Sequence, residues 1–432
     1  DTLWNKYKLQ HCPEVLAMAA QEAFSKYDWK SALRYCQELS KMDPLSQSSN
    51  KAAFCHVSTL VQLKQKRALF RLAHEWVEAS PKEARSWFAV GAYYYSCQRY
   101  HVAQRHLCRA TRLDPQCAEA WIAFGVSFAA CDESDQALAS FRAAQRLAPG
   151  NHVSLLYIGM EYLRTNHLVL AQHFLQAAHD SCHGTDALAK SELGVLNMAK
   201  KQYGPAIACF LQALGASPEW FQTSSSSSSA LLDVDTLATL VEGIHDEYWE
   251  PTLFNLAHAY RKERHFEHAI ICLERCLSVK ESASAYAALG FCLHLQSMTL
   301  SMEKNKNNNS NKETSSYLLH RAIDTYHQSL AKKPEDPFCS EMLQKALGDA
   351  LEQTDFFMDD HAVDDDVVDN MDKQLNHRHN MPFTSAATSR PPRTSLASST
   401  GTMGGIGADQ SSVWTEDGLS LSVESTSDVD MS

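Results

Sequence analysis

The chain has 432 residues, 44% of them hydrophobic, and a formal net charge of −12 at pH 7. That acidic balance argues against a nucleic-acid binder, which would carry a basic footprint; no apolar stretch approaches the ~18 residues of a membrane span, and no signal peptide is visible. Thirteen cysteines, an odd number with no C-x-x-C pair, fit reduced thiols packed inside an intracellular protein.

The first residue is Asp1, and a helical register is already running by Pro13. The expectation is a fragment or processed form with earlier units missing. Ala20, Ala32 and Pro44 mark one degenerate helix pair, and Leu60, Leu69 and Pro81 another. From there the pattern sharpens. Trp87, Gly91, Tyr94, Ala103, Leu107, Ala110 and Pro115 return 34 residues later as Trp121, Gly125, Phe128, Ala137, Phe141, Ala144 and Pro149. A 34-residue period with this pattern is the tetratricopeptide repeat, a helix–turn–helix unit.

Each position has a physical reading. The Trp opens the first helix, and the Gly one turn on lets the second helix approach. Ala103 and Ala137 do the same from the second helix. Tyr94 with Leu107, and Phe128 with Phe141, fill the gap between them. Pro115 and Pro149 close the units, because proline cannot continue a helix. A single unit cannot bury its apolar face, so the units must stack.

Later copies are looser. Leu155, Gly159, Tyr162, Ala171, Leu175 and Ala178 form one unit; Leu193, Gly194, Asn197, Ala206, Phe210, Ala213 and Pro218 form the next. Residues 221–249 interrupt the array with six consecutive serines, Ser224 to Ser229, and then a short helix near Leu231–Gly243. Ala257, Tyr260, Ala269 and Leu273 resume it. Tyr286, Leu289 and Gly290 begin a last unit whose second helix returns at Ala322 and Tyr326 and ends at Pro334, leaving 299–316 as an insertion in the turn. Residues 337–352 read as a capping helix.

The fold class is therefore all-α: a right-handed superhelical tetratricopeptide solenoid of about eight units. Repeats occupy 13–220, a Ser-rich insertion 221–249, two further repeats and the cap 250–352, and an acidic tail 353–432. From Asp355 the chain holds 14 Asp/Glu against 4 Lys/Arg, so the tail carries most of the net charge and too little apolar surface to fold. Disorder is expected over 223–229, 303–312 and 356–432.

No catalytic, cofactor or metal motif emerges. There is no P-loop and no dinucleotide fingerprint. His265 and His268 form H-x-x-H near Cys272 and Cys276, but Ala269 and Leu273 place the buried stripe of that helix, so packing explains them. Cys182–His183 sits in a turn with no rigid orienting group. Lys64, Lys66, Arg67 and Arg71 read as a solvated turn. Ser80–Pro81 and Ser217–Pro218 are Ser-Pro pairs whose prolines end repeats.

The first helix of each unit lines the concave surface. Side chains one after the Trp place, one after the Gly and four after the Gly point inward. The groove residues are then Phe88, Tyr95, Ile122, Val126, Leu156, Met160, Val195, Met198, Phe254, His258 and Phe291, with Arg164 and Arg261 near the edge. The alternative for each is burial against a neighbouring helix. A mostly apolar groove suits a peptide or helix with hydrophobic anchors.

The strings SWFAVGAYYY (86–95), AWIAFGVSFAA (120–130), LLYIGMEYLRTN (155–166) and WEPTLFNLAHAYRK (249–262) resemble the subunit-six family of the anaphase-promoting complex, the cell-division-cycle-sixteen type. Trp249–Glu250–Pro251 leading into Asn255–Leu256 is the most particular piece. Ala257 departs from the glycine expected there. The resemblance implies a non-catalytic scaffold of a cell-cycle ubiquitin ligase, in nucleus and cytoplasm, without a cofactor. Its partners would be other subunits of that complex: related repeat subunits, and a small accessory subunit held in the groove. The resemblance also implies homodimerisation through further N-terminal repeats, which are expected to be among the units missing from this chain. Two other readings stay open. One is an unrelated adaptor, such as a co-chaperone or trafficking module. The other is an enzyme carrying a repeat domain, which would need a folded catalytic segment outside the array.

Overall fold

The computed structural model describes residues 12–42, 50–215, 232–302 and 309–355. These lie in the first of two units, Asp1–Ser389; the second, Arg390–Ser432, is outside the described residues. So are the serine run, Pro44, Pro218 and the tail from 356.

Eighteen α-helices fill the described residues, and no strand occurs among them. Sixteen of them pair in chain order into eight units. The first two units are α1 (Pro13–Ser25) with α2 (Trp29–Met42), and α3 (Asn50–Gln62) with α4 (Lys66–Ala79). The sharp repeats follow: α5 (Ala84–Ser96) with α6 (Tyr100–Leu113), α7 (Ala118–Ala129) with α8 (Ser134–Leu147), and α9 (His152–Arg164) with α10 (Leu168–Ser181). The sixth unit is α11 (Ala187–Ala199) with α12 (Tyr203–Ala213). The extra helix α13 (Val234–Glu242) precedes the seventh, α14 (Glu250–Lys262) with α15 (Phe266–Val279). The last unit is α16 (Ala283–Met302) with α17 (Asn309–Lys332), capped by α18 (Pro337–Asp355).

Three local devices recur. First, a β-carbon added at Gly91, Gly125, Gly159 or Gly194 would come within 2.7 Å of Leu107, Phe141, Leu175 or Phe210 respectively, always the residue sixteen further on. Second, the turn inside each of the first seven units holds a non-glycine residue in the left-handed region: Tyr27, Lys64, Gln98, Asp132, Asn166, Lys201 and Arg264, with φ between 55° and 65°. The next residue's N–H then donates back across the turn, as Arg99 to Tyr94, Glu133 to Phe128 and His167 to Tyr162. This closes the helix C-terminus in a Schellman-type cap. Third, in the third and fourth units the Trp side chain ties the unit to the end of the preceding one: Trp87 Nε1 donates to Pro81 O at 2.7 Å and Trp121 Nε1 to Pro115 O at 3.0 Å.

The insertion differs from its reading as a turn. Residues 299–302 continue α16 and 309–316 belong to α17, so the segment lengthens both helices to 20 and 24 residues. Of the span 303–312 expected to be unstructured, 309–312 are helical and 303–308 are outside the described residues. The longer hairpin is locked by buried serines: Ser297 Oγ donates to Ser315 O at 2.9 Å and Ser315 Oγ to Ser297 O at 3.0 Å. Gly290 accordingly meets Tyr326, thirty-six residues on, and not sixteen.

The core lies between the helices in successive clusters. One stretch joins Leu156, Ile158, Leu175 and Leu188; another runs from Val195 through Leu256, Tyr260 and Phe291 to Met342. α13 contributes Leu237 and Val241 to it. Cys272 and Cys276 are fully buried there, and His268 Nε2 lies 3.0 Å from Leu232 O, so the H-x-x-H helix packs as its apolar stripe requires.

Candidate partner-binding groove

The thirteen groove positions fall into two groups. Phe88, Leu156, Met160, Val195, Met198, Arg261 and Phe291 are buried by the chain itself. Tyr95, Ile122, Val126, Arg164, Phe254 and His258 are half-buried. The first group packs between units. Phe88 meets Phe54 of α3 edge-on at 4.7 Å between ring centroids, and Phe291 meets Phe338 of the cap at 6.0 Å. The inward register is thus shared between neighbour-to-neighbour packing and a surface open to a ligand.

The structure gathers Phe254, His258 and Arg261 around one shallow cavity with Ala257, Leu273, Ala288 and Cys292. Arg261 lies over the Phe291 ring at 5.1 Å, and its Nη2 is 3.1 Å from His258 Nδ1. The guanidinium and the imidazole thus form one polar pair among the apolar side chains that line this small cavity. Arg164 serves a different purpose. Its Nη1 pairs with Asp132 at 2.7 Å, its Nη2 donates to Ser134 Oγ at 2.7 Å, and its Nε donates to Glu161 at 3.2 Å. It joins the fifth unit to the turn of the fourth.

One contact had no signal in the repeat pattern. Tyr27, in the turn of the first unit, hydrogen-bonds Asp186, 159 residues away at the start of α11. Its ring stacks on Tyr248 at 5.4 Å and meets Trp249 edge-on at 5.1 Å. Trp29 meets Tyr248 at 5.5 Å. Lys64, part of the basic run read as a solvated turn, pairs with Glu247 at 2.8 Å, and Glu247 also pairs with Lys280 at 3.1 Å. The first two units therefore touch the sixth and seventh, and the array closes on itself. Trp249, which stood out in the sequence, is part of this clasp.

Electrostatics favour the clasp. Burial works to raise the Asp186 carboxyl, but bonds from His152 Nε2 (3.0 Å), Tyr27 and the Leu188 N–H (2.9 Å) outweigh it and hold the group below its ordinary value. Burial first, then the charges of Tyr248 and Asp186, push the Tyr27 phenol far up, so it stays a donor. Burial, with Asp186 and Glu192 nearby, brings Tyr157 to about 12. No helix among the described residues is long and apolar enough to cross a membrane.

Paired helices, fixed register and an inward-facing groove define a tetratricopeptide-repeat solenoid, a class that works by holding partners along a concave surface. A family model for the tetratricopeptide repeat matches residues 250–282. Within that class the chain is similar to anaphase-promoting complex subunit 6. It is 35% identical over 337 residues to anaphase-promoting complex subunit 6 of Arabidopsis thaliana, covering 78% of this chain and 53% of the relative. It is 30% identical to the cell division cycle protein 16 homolog of Homo sapiens, over 78% of this chain and 47% of the relative. The crystal structure of the APC/C hetero-tetramer Cut9–Hcn1 superposes with a TM-score of 0.62 at 25% identity, covering 78% of this chain and 56% of that one. The chain spans about half the length of the curated relatives it matches.

Proposed function

We propose that this chain is the repeat region of a non-catalytic scaffold subunit of the anaphase-promoting complex. In this reading the ligase chemistry belongs to other subunits, and the solenoid positions them. It works in nucleus and cytoplasm, where the complex marks mitotic regulators for degradation.

The observation that carries the reading is the likeness to subunit 6 over 78% of the chain, in a register whose inward positions form a partly open apolar groove. The groove would take an extended or helical segment of a small accessory subunit, with apolar anchors against Ile122, Val126 and Phe254. His258 and Arg261 would orient it. A ligand that binds only the folded array stabilises it by mass action.

Depletion of the protein from dividing cells tests the role. The reading expects arrest before anaphase with undegraded mitotic regulators, rescued by the full-length protein. Normal mitotic exit after complete depletion would contradict it.

A further inference from the structure

The described residues hold one three-donor cluster that the scaffold reading does not use. His101 is the second residue of α6, Cys131 lies in the turn after α7, and Glu133 is the residue just before α8, its side chain making no capping bond. Their ligand atoms all lie within 4.8 Å of one another, and His101 Nδ1 is 3.9 Å from Cys131 Sγ. We propose that His101, Cys131 and Glu133 form a zinc site across the junction of the third and fourth repeats.

The donor set argues for the metal. Zinc takes thiolate sulfur, imidazole nitrogen and carboxylate oxygen, in tetrahedral geometry, at about 2.3 Å for sulfur and about 2.0–2.1 Å for nitrogen. Those lengths put sulfur and nitrogen about 3.6 Å apart on one ion, so 3.9 Å needs only a small closing movement. Water fills the fourth position. Hard cations such as magnesium prefer all-oxygen sets, so the thiol selects zinc and its chemical neighbours.

The surroundings hold the donors in place. Asp132, with φ of 65°, reverses the chain between Cys131 and Glu133. Cys131 N and Glu133 N both donate to Phe128 O, at 2.9 and 3.1 Å. Asp132 turns its own carboxylate away to Arg164 at 2.7 Å. Gln104 Nε2 donates to Cys131 Sγ at 3.5 Å and to Ser127 O at 3.4 Å, the kind of outer hydrogen bond that orients a thiolate ligand. Metal binding would replace the 3.3 Å contact between His101 Nδ1 and Gln104 Oε1. It would also release the Cys131 thiol proton to solvent as the Zn–S bond forms. His101 is exposed and the other two are half-buried, so an ion has a path in. Donors thirty residues apart on adjacent units leave no sequence motif. Binding would pin α6 to the α7–α8 turn and stiffen this part of the array.

The test uses the full chain stripped with a chelator and titrated with cobalt, then zinc. The expected result is one cobalt per chain, with a thiolate charge-transfer band that Cys131→Ser abolishes and Cys97→Ser leaves intact. His101→Ala, at an exposed position, should weaken zinc binding at least ~tenfold, or ~1.4 kcal/mol. Zinc should raise the melting temperature of the wild type and of Cys97→Ser, but not of Cys131→Ser. No stoichiometric cobalt uptake at micromolar protein overturns the proposal, as does a band that survives in Cys131→Ser. Unchanged zinc affinity in His101→Ala overturns it even if the serine variant misfolds.

Discussion

A β-carbon on Gly125 would lie 2.5 Å from Cε1 of Phe141, across the two helices of the fourth unit. No real β-carbon sits that close, and Phe141 is itself 1% exposed with no room to retreat. Gly125→Leu should therefore destabilise the array by ~1–3 kcal/mol or more through overpacking. Urea unfolding checks this. An unshifted midpoint would mean that the helix approach is looser than described.

Acid should loosen the third unit and its neighbour. Burial takes His56 down to about 4. His106, stacked between Trp87 and Tyr94 at 5.7 and 5.3 Å, is also at about 4, from burial first and then Arg109 and Arg105. In the unfolded chain a histidine titrates near ~6.5. Between about 4 and 6.5 the unfolded state binds more protons, so stability rises with pH across that window and falls on acidification. The melting temperature should drop from about pH 7 to about pH 5, and His106→Phe should shrink the drop while keeping the stack. A larger drop in the variant would contradict this assignment.

Tyr27→Phe isolates the clasp. It keeps the ring contacts with Tyr248 and Trp249 and deletes only the bond to Asp186. A hydrogen bond to a charged group contributes ~1.5–3 kcal/mol. Because the Asp186 carboxyl is held below its ordinary value, the contribution is present above the unfolded value near ~3.9 and disappears as pH falls through the folded one. Hydrogen exchange should speed up across α1 and leave α16 unchanged at neutral pH. Uniform protection in wild type and variant would show that the first unit docks without this bond.

Groove substitutions need choosing by burial. Met160 and Phe291 occupy inward register positions, yet they are 8% and 1% exposed. Glutamate at both would force carboxylates into the core, and the double variant should lose helicity. Ile122→Glu with Phe254→Glu, at half-buried sites, should keep native helicity and weaken accessory-subunit binding at least ~tenfold, ~1.4 kcal/mol. Calorimetry with circular dichroism on both variants separates the outcomes; native affinity in the folded Ile122/Phe254 variant would move the partner to another surface.

The repeat register was legible because packing imposes it. The small residue at 91, 125, 159 or 194 and the large one sixteen later are two halves of one contact, and Ala257 with Leu273 kept the spacing without the glycine. The left-handed turn residues were not legible, since Tyr, Lys, Gln, Asp, Asn and Arg all serve there. The Asn/Lys/Ser-rich insertion read as a turn by composition; reciprocal bonds between Ser297 and Ser315 instead let two helices run on. The clasp was invisible because a period reports nearest neighbours, and Tyr27 meets residues more than 150 positions away. For the same reason the groove register could not say which inward side chains a neighbouring unit covers.

Mass spectrometry of proteins that co-purify with the full-length protein from dividing cells bears most directly on the scaffold reading. The account predicts other anaphase-promoting complex subunits, including related repeat subunits and a small accessory subunit, in amounts comparable to the bait. Recovery of chaperones bound through their C-terminal tails, with no ligase subunits, would contradict it.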